Sequence, residues 1–459
     1  MLFSSNVFLF AYLPAVFVMY YLVPRKWKNP VLLLVSLFFY GWGEPVYLFL
    51  MIATILLNYG CGILIHRYRQ QHAKKILVFG VAANLLILGF FKYAGFLAAQ
   101  LQALLPFLPD WEVPQIPLPI GISFYIFQSM SYVIDVYRED APVQENALTF
   151  GTYVTLFPQL IAGPIVRYSD VAYQMDHRRE NTADFASGIP LFIIGLSKKV
   201  LLANPMGSLW NLMQEQPGTL AAWVGIAAYT LQIYFDFSGY SDMARGLGRM
   251  FGFEFLENFN YPYISRSVTE FWRRWHISLS TWFREYVYIP LGGNRRGLMR
   301  QILNLLIVWA LTGLWHGASW NYVFWGLYYA ALLILEKTFL LKKLKQLPAA
   351  VAHSYTILAF TLGWALFYFE SLPALGQFLL RLFSFAGTGS QGMTVIAAYL
   401  PLMAAAVVAS TPLASRTLAG RKLSAWGFGV QVLVLALMML LCVAALASQS
   451  YNPFIYFRF

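Results

Sequence analysis

No Asp, Glu, Lys or Arg lies between Arg300 and Glu336, a membrane-length apolar stretch. Hydrocarbon offers no water to unpaired N–H and C=O groups, so a chain with such stretches must close its backbone hydrogen bonds within helices or a barrel. One histidine interrupts the stretch: His316, in Leu311-Thr-Gly-Leu-Trp-His316-Gly-Ala-Ser-Trp320. An imidazole there is costly unless something uses or satisfies it. Two readings stand side by side: a functional histidine, or a core histidine satisfied by a backbone carbonyl at a helix end beside Gly317. If Arg300 marks the cytoplasmic edge, the intervening rise of 1.5 Å per residue puts His316 roughly 24 Å across, nearer the outer side.

The apolarity runs the whole length. Of 459 residues 59% are hydrophobic and only 11% charged, against about 25% charged in a soluble domain. The fold class is therefore all-α, a polytopic transmembrane helical bundle. The longest polar stretch, Arg167 to about Asp184, is too short for a soluble domain, so residues 1–459 read as one integral-membrane domain. Apolar runs near 5–22, 30–43, 46–65, 76–91, 147–165, 186–203, 219–236, 302–316, 319–336, 353–370, 393–411 and 425–447 suggest roughly ten to twelve spans.

The net charge of +12 sits in short loops, which is the positive-inside pattern rather than a nucleic-acid footprint. Arg25, Lys26 and Lys28 follow the first apolar run, which makes that run an anchor with the N-terminus outside rather than a cleaved signal. Clusters at Arg67/Arg69/Lys74/Lys75, Arg295/Arg296/Arg300, Lys342/Lys343/Lys345 and Arg416/Arg421/Lys422 should face the cytoplasm. The last span then ends outside, with 448–459 as an extracytoplasmic aromatic tail. Cys61 and Cys442 lie singly in apolar runs and read as small core residues.

Three stretches do not read as simple spans: Pro117–Tyr125, Asp236–Glu254 and Thr269–Pro290. Polar or broken helix at membrane depth is tolerated where it lines a cavity or is buried in protein. Taken as one helix, Thr269–Tyr286 gathers Trp272, Trp275, His276, Leu279, Trp282, Phe283 and Tyr286 within an arc of about 120°, with Glu270, Arg273, Arg274, Arg284 and Glu285 opposite. His276 should then point into the bundle; the plainer alternative is an interfacial helix whose histidine only hydrogen-bonds a neighbour.

The segment Phe271-Trp-Arg-Arg-Trp-His276-Ile-Ser-Leu-Ser-Thr-Trp-Phe-Arg-Glu-Tyr-Val-Tyr-Ile-Pro-Leu-Gly-Gly-Asn294, followed by Leu314-Trp-His316-Gly, resembles the membrane-bound O-acyltransferase family. Phe157-Pro-Gln-Leu-Ile-Ala-Gly-Pro-Ile165, Tyr234-Phe-Asp-Phe-Ser-Gly-Tyr-Ser-Asp-Met243 and Asn452-Pro-Phe-Ile-Tyr-Phe-Arg-Phe459 narrow the resemblance. They point to the bacterial branch of the alginate O-acetylation, peptidoglycan O-acetylation and teichoic-acid D-alanylation membrane proteins. It covers nearly the whole chain.

The resemblance implies a ring of spans and re-entrant helices around a central tunnel in the bacterial inner membrane. It implies acyl transfer from a cytoplasmic thioester, acetyl-CoA, to an extracytoplasmic polysaccharide, alginate first. No cofactor or metal stays bound. The partners are the bilayer, the polysaccharide and a periplasmic or surface-anchored SGNH-type acetyltransferase. The family's essential histidine maps onto His316 and its second polar position onto His276. The chemistry agrees: acyl transfer to a hydroxyl needs a base near neutral pH, and an apolar site keeps an imidazole neutral. His276 would orient the acyl group or stabilise developing charge.

By the same resemblance Tyr456, in the tail, would carry the acyl group as a phenol ester; the plainer reading is an interfacial aromatic belt. Arg245, Arg249, Lys198 and Lys199 are candidates for the phosphates of the donor, with paired structural charges and positive-inside anchoring as alternatives. The rival functions are peptidoglycan or other exopolysaccharide O-acetylation, D-alanyl transfer to teichoic acid, a polysaccharide or lipid transporter without covalent chemistry, and an export scaffold. Transporters tend to show repeated halves, and no sustained repeat is visible here.

Overall fold

The computed structural model describes residues 1–105, 107, 112–161, 163–413, 425–448 and 455. Among them there is no strand. The helices are α1 (Leu13–Leu22), α2 (Arg25–Gly41), α3 (Tyr47–Arg67), α4 (Ala73–Leu104), α5 (Ile122–Arg138), α6 (Ala147–Thr155), α7 (Phe157–Leu160) and α8 (Tyr168–His177). There follow α9 (Thr182–Ser197), α10 (Asn204–Glu215), α11 (Thr219–Met250), α12 (Val268–Arg274), α13 (Ile277–Phe283), α14 (Leu298–His316), α15 (Trp320–Leu335) and α16 (Leu341–Gln346). The chain ends with α17 (Ala349–Tyr368), α18 (Leu372–Leu382), α19 (Ser390–Ala409) and a last helix, Ala425–Ser448.

Nine described helical stretches are long and apolar enough to cross a membrane: α3, α4, α9 with α10, α11, α14, α15 with α16, α17, α19 and the last helix. This is fewer than the ten to twelve expected. The apolar run 147–165 is not a span. It breaks between α6 and α7, where Pro158 opens a new short helix, and Thr149–Ile161 is buried throughout. Its apolarity serves packing against protein, not lipid. The first run forms a shorter apolar helix, Phe8–Leu22.

The chain divides into two compact units. The N-terminal unit comprises Met1–Phe192 with Met243–Leu256. In it α3 and α4 are clamped by reciprocal amide hydrogen bonds: Asn58 Nδ2 donates to Asn84 Oδ1 (3.1 Å) and Asn84 Nδ2 to Asn58 Oδ1 (2.7 Å). Such pairs satisfy polar groups that lipid cannot. Phe8, Tyr12, Phe39 and Phe157 close an aromatic core with centroids 5.5–6.3 Å apart.

The C-terminal unit comprises Ile193–Asp242 with Glu257–Phe459. Its tightest packing is α14 against α15. A Cβ on Gly313 would collide with the Tyr322 carbonyl oxygen, and one on Gly326 with the Trp309 carbonyl oxygen. The two backbones therefore touch, and this contact fixes the C-terminal end of α14, where His316 sits. Asn321 Nδ2, fully buried, donates to the Phe367 carbonyl (3.1 Å) and ties α15 to the end of α17.

Overpacking a close helix contact costs about 1–3 kcal/mol. Gly326→Ala should therefore lower the thermal unfolding midpoint in detergent by several degrees, whereas Gly376→Ala, inside α18 with no neighbouring atom within 4 Å, should hold or raise it, since alanine is the better helix former. Equal midpoints for the two variants would refute the contact.

Candidate active site

The single amphipathic helix expected over Thr269–Tyr286 is broken. It ends at Arg274, and His276 takes a left-handed backbone (φ 45°, ψ 53°) before α13 begins. A non-glycine residue there carries a steric cost of roughly 1–2 kcal/mol, and Asn258 offsets it. The Asn258 carbonyl accepts from Ile277 N (3.0 Å); its Oδ1 accepts from Ser278 N (3.1 Å) and Ser278 Oγ (2.9 Å). The same Oδ1 lies 3.3 Å from His276 Nδ1. Because Oδ1 is fixed as an acceptor by Ser278 N, Nδ1 carries the proton and Nε2 the lone pair.

The break resets the helical phase. Arg273 and Arg284, expected opposite the aromatic face, line one cavity of about 240 Å³ together with Trp272, Trp275, His276, Leu279, Phe283 and Tyr288. His316 lines it too. From α14 the wall is Leu305, Val308, Trp309, Thr312 and His316, one helical face running about 16 Å at 1.5 Å per residue. The structure thus brings the two histidines to one narrow, largely apolar space.

Both rings are buried, His276 at 2% and His316 at 7% exposure. Trp315 touches both, with centroids 4.9 Å from His316 and 6.0 Å from His276. Trp325 (5.0 Å) and Phe367 (5.1 Å) pack edge-on to His316, and Phe237 (4.7 Å) edge-on to His276. Burial pushes the His276 imidazole down to about 3, so it is neutral across the physiological range. A nitrogen so weakly basic orients a reacting group better than it abstracts a proton.

Sequence reasoning missed Asn258 and Glu336. The Glu336 side chain is 1% exposed and accepts from Val268 N (2.7 Å), Thr269 N (2.8 Å) and Thr269 Oγ1 (2.6 Å). It is a remote cap on the N-terminus of α12, beside the local cap in which Ser267 Oγ accepts from Glu270 N (3.0 Å). A carboxylate is favoured at that end of a helix. The signal available in sequence was a lone acid at the end of an apolar run, which positional reasoning takes for a membrane boundary.

A second space, of about 540 Å³, shares Arg284 and Tyr288 with the histidine cavity and adds Arg295, Arg296 and Lys337. Its loop turns on Gly292 (φ 104°), Gly293 (φ 55°) and Gly297 (φ 82°) and is held by Asn304 Nδ2 donating to the Gly293 carbonyl (2.9 Å).

The residues expected to bind donor phosphates lie elsewhere. Lys199 Nζ is 2.7 Å from Asp236 Oδ1 and donates to Asn204 Oδ1 (2.8 Å), all deeply buried. Lys198 pairs with Asp242 (2.6 Å). Arg245 and Arg249 are on the last two turns of α11, in the N-terminal unit, where Arg249 Nη1 donates to Ser187 Oγ (3.5 Å). None of the four lines the histidine cavity. Tyr456 lies outside the described residues, as do most of the tail 448–459 and Ala162 of the Phe157–Ile165 motif.

Residues 138–371, which hold both histidines, match the membrane-bound O-acyltransferase family. The chain belongs to that family. It is 41% identical to a probable alginate O-acetylase AlgI of Pseudomonas putida, with all of both chains covered. Identity to the probable alginate O-acetylase AlgI of Azotobacter vinelandii is 39%, again over all of both chains. A peptidoglycan O-acetyltransferase of Helicobacter pylori is 34% identical over 82% of this chain and 78% of its own. This membrane-bound O-acyltransferase is thus a multi-pass membrane enzyme of acyl transfer.

Leaving buried donors without their charged acceptor costs about 1–3 kcal/mol per group. Glu336→Gln, which turns a donor toward Val268 or Thr269 N–H, should cut acyl transfer per folded molecule about tenfold or more. Helix content should stay unchanged by circular dichroism. Full turnover in folded Glu336→Gln would show that the cap does not hold the site.

Proposed function

We propose that this enzyme moves acetyl from acetyl-CoA, on the cytoplasmic side of the bacterial inner membrane, for O-acetylation of an extracytoplasmic polysaccharide, with alginate as the first acceptor. The observation that carries the proposal is the cavity lined by both His276 and His316, which has Arg284 and Tyr288 in common with a neighbouring cationic pocket. Arg284, Arg295, Arg296 and Lys337 suit the phosphates of a nucleotide thioester, as point charges and forked donors do. The narrow apolar wall along α14 suits an extended pantetheine arm, which would bring the thioester carbonyl to the histidines. The relatives named alginate O-acetylases support the acceptor.

In the proposed step His316 takes the proton of an acceptor hydroxyl as its oxygen attacks the thioester carbon. The tetrahedral intermediate collapses, the C–S bond breaks, and the coenzyme leaves as a thiolate that recovers the proton. His276, neutral and tied to Asn258, orients the reacting groups. The Trp315, Trp325 and Phe367 rings exclude water, which would otherwise hydrolyse the thioester.

A relay through Tyr456 gains support from its neighbour. Ile455 N donates to Asp236 Oδ2 (2.8 Å), and Asp236 precedes Phe237, whose ring meets His276. A phenol ester is a competent donor because its leaving group has a pKa near 10. From Tyr456 the acetyl would pass to an SGNH-type acetyltransferase outside.

Reconstitution in liposomes with radiolabelled acetyl-CoA tests the scheme. Label on the wild type, absent from His316→Ala and Tyr456→Phe, is the expected result; label retained on Tyr456→Phe moves the acceptor elsewhere, and label retained on His316→Ala refutes the base. Arg295→Ala with Arg296→Ala should raise KM for acetyl-CoA about tenfold, the scale of lost charge-assisted phosphate contacts, with kcat little changed. For pH, His276→Gln should lower kcat yet leave the acid-limb midpoint where it was, because an imidazole near 3 does not titrate there.

A further inference from the structure

The N-terminal unit holds a polar cavity of about 660 Å³ that the transfer reaction does not use. It opens at the start of α2, and its walls include Arg25, Lys26, Lys28, Asn146, Thr149 and Arg178. Four cations there face two carboxylates, Asp176 and Glu180, a net charge of +2. Lys28 Nζ meets Glu180 Oε2 at 2.8 Å, and Arg25 Nη2 donates to the Asp176 carbonyl (3.0 Å).

Arg178 is the informative wall. Only 7% of it is exposed. Its Nε donates to Tyr20 Oη and the Phe251 carbonyl (3.2 Å each), and its Nη1 to Asn29 Oδ1 (2.7 Å) and the Met175 carbonyl (3.1 Å). Its Nη2 is buried with no hydrogen-bond acceptor among the described residues. Arg178 is held by these four hydrogen bonds, by Glu180 (3.8 Å) and by the Phe253 ring (4.4 Å). It lines a cationic cavity with one nitrogen lacking an acceptor, and a guanidinium in that state suits an oxyanion.

The rim says where the anion comes from. Leu22 of α1 is 79% exposed, and Trp27 (54%) and Leu148 (50%) flank the cavity. In a membrane protein such side chains face lipid, with Trp at the headgroup level, and basic pockets at that level take lipid headgroups.

We propose that this pocket binds the phosphodiester of an anionic phospholipid headgroup, with Arg178, Lys26 and Arg25 as its cationic partners. The Asn146 and Thr149 side chains stand where headgroup hydroxyls would meet them.

Native mass spectrometry of the full chain in phosphatidylcholine nanodiscs, with and without phosphatidylglycerol, tests this. The wild type should retain phosphatidylglycerol in preference to phosphatidylcholine. Lys26→Glu should weaken retention about thirtyfold, the scale of changing two units of charge near an anionic surface. Lys343→Glu, which reverses a charge in the C-terminal unit, should change it by less than twofold. Equal losses for the two variants would reduce the effect to bulk attraction and overturn the site. Arg178→Gln should abolish the preference, and Lys26→Glu keeps the test decisive if Arg178→Gln does not fold. Displacement of the lipid by millimolar inorganic phosphate or by coenzyme A would assign the pocket to a soluble phosphate and overturn the lipid.

Discussion

The left-handed backbone at His276 is the joint on which the candidate active site depends. A continuous helix from Thr269 to Tyr286 would set His276 at the edge of one face and send Arg273 and Arg284 away from it. The break instead folds α12 and α13 around a common space, so that aromatic rings, arginines and imidazole share one cavity. The strain of the joint is local, and so is its relief: Asn258 accepts from the two backbone N–H groups that follow the turn, Ile277 and Ser278, and meets the His276 ring itself. One side chain thereby sets both the conformation of the joint and the tautomer of the histidine. Strained backbone of this kind persists only where surrounding groups over-determine it.

Buried acids in the C-terminal unit are spent on backbone N–H groups. Glu336 holds the first turn of α12, and Asp236 holds Ile455 while paired with Lys199. A buried ion pair adds little net stability, but removing one partner is costly. These contacts therefore act as fixed points: Glu336 sets where α12 begins, eight positions before the joint at His276, a rise of about 12 Å at 1.5 Å per residue, and Asp236 holds the Ile455 N–H. Lys199 is engaged with both Asp236 and Asn204.

The membrane class, most span positions and the pairing of His276 with His316 were legible in the sequence, because apolar length and an isolated titratable group carry their own physical cost. What was not legible depended on tertiary contact. The run 147–165 has the hydropathy of a span, yet Pro158 breaks it and the fold buries it. Periodicity over 269–286 reads as one helix because only Asn258, distant in sequence, tips His276 into the left-handed region. Glu336 looks like a boundary charge until α12 is seen to end on it. Arg295 and Arg296 read as positive-inside anchors, since anchoring and phosphate binding both call for exposed cations beside a span. The structure adds that they line a pocket with Arg284 and Tyr288, which line the histidine cavity as well.

The dimensions of the histidine cavity bear on transfer against transport. Clefts that take drug-sized ligands run to about 300–1,000 Å³, and this one, at about 240 Å³, is smaller. A sugar chain moving through would need polar groups along the wall to replace water around each hydroxyl, because stripping a hydroxyl without a new partner costs about 1–3 kcal/mol. The wall along α14 offers Leu305, Val308 and Trp309, with Thr312 already donating to the Val308 carbonyl (2.7 Å). An acetyl group on a thin thioester arm makes no such demand. In the proposed reaction the polar requirement of the donor would fall at its phosphates, beside Arg284, Arg295 and Arg296, and that of the transfer at the carbonyl, beside the two histidines. The apolar α14 wall suits a small acyl group on a long arm better than a polysaccharide in transit.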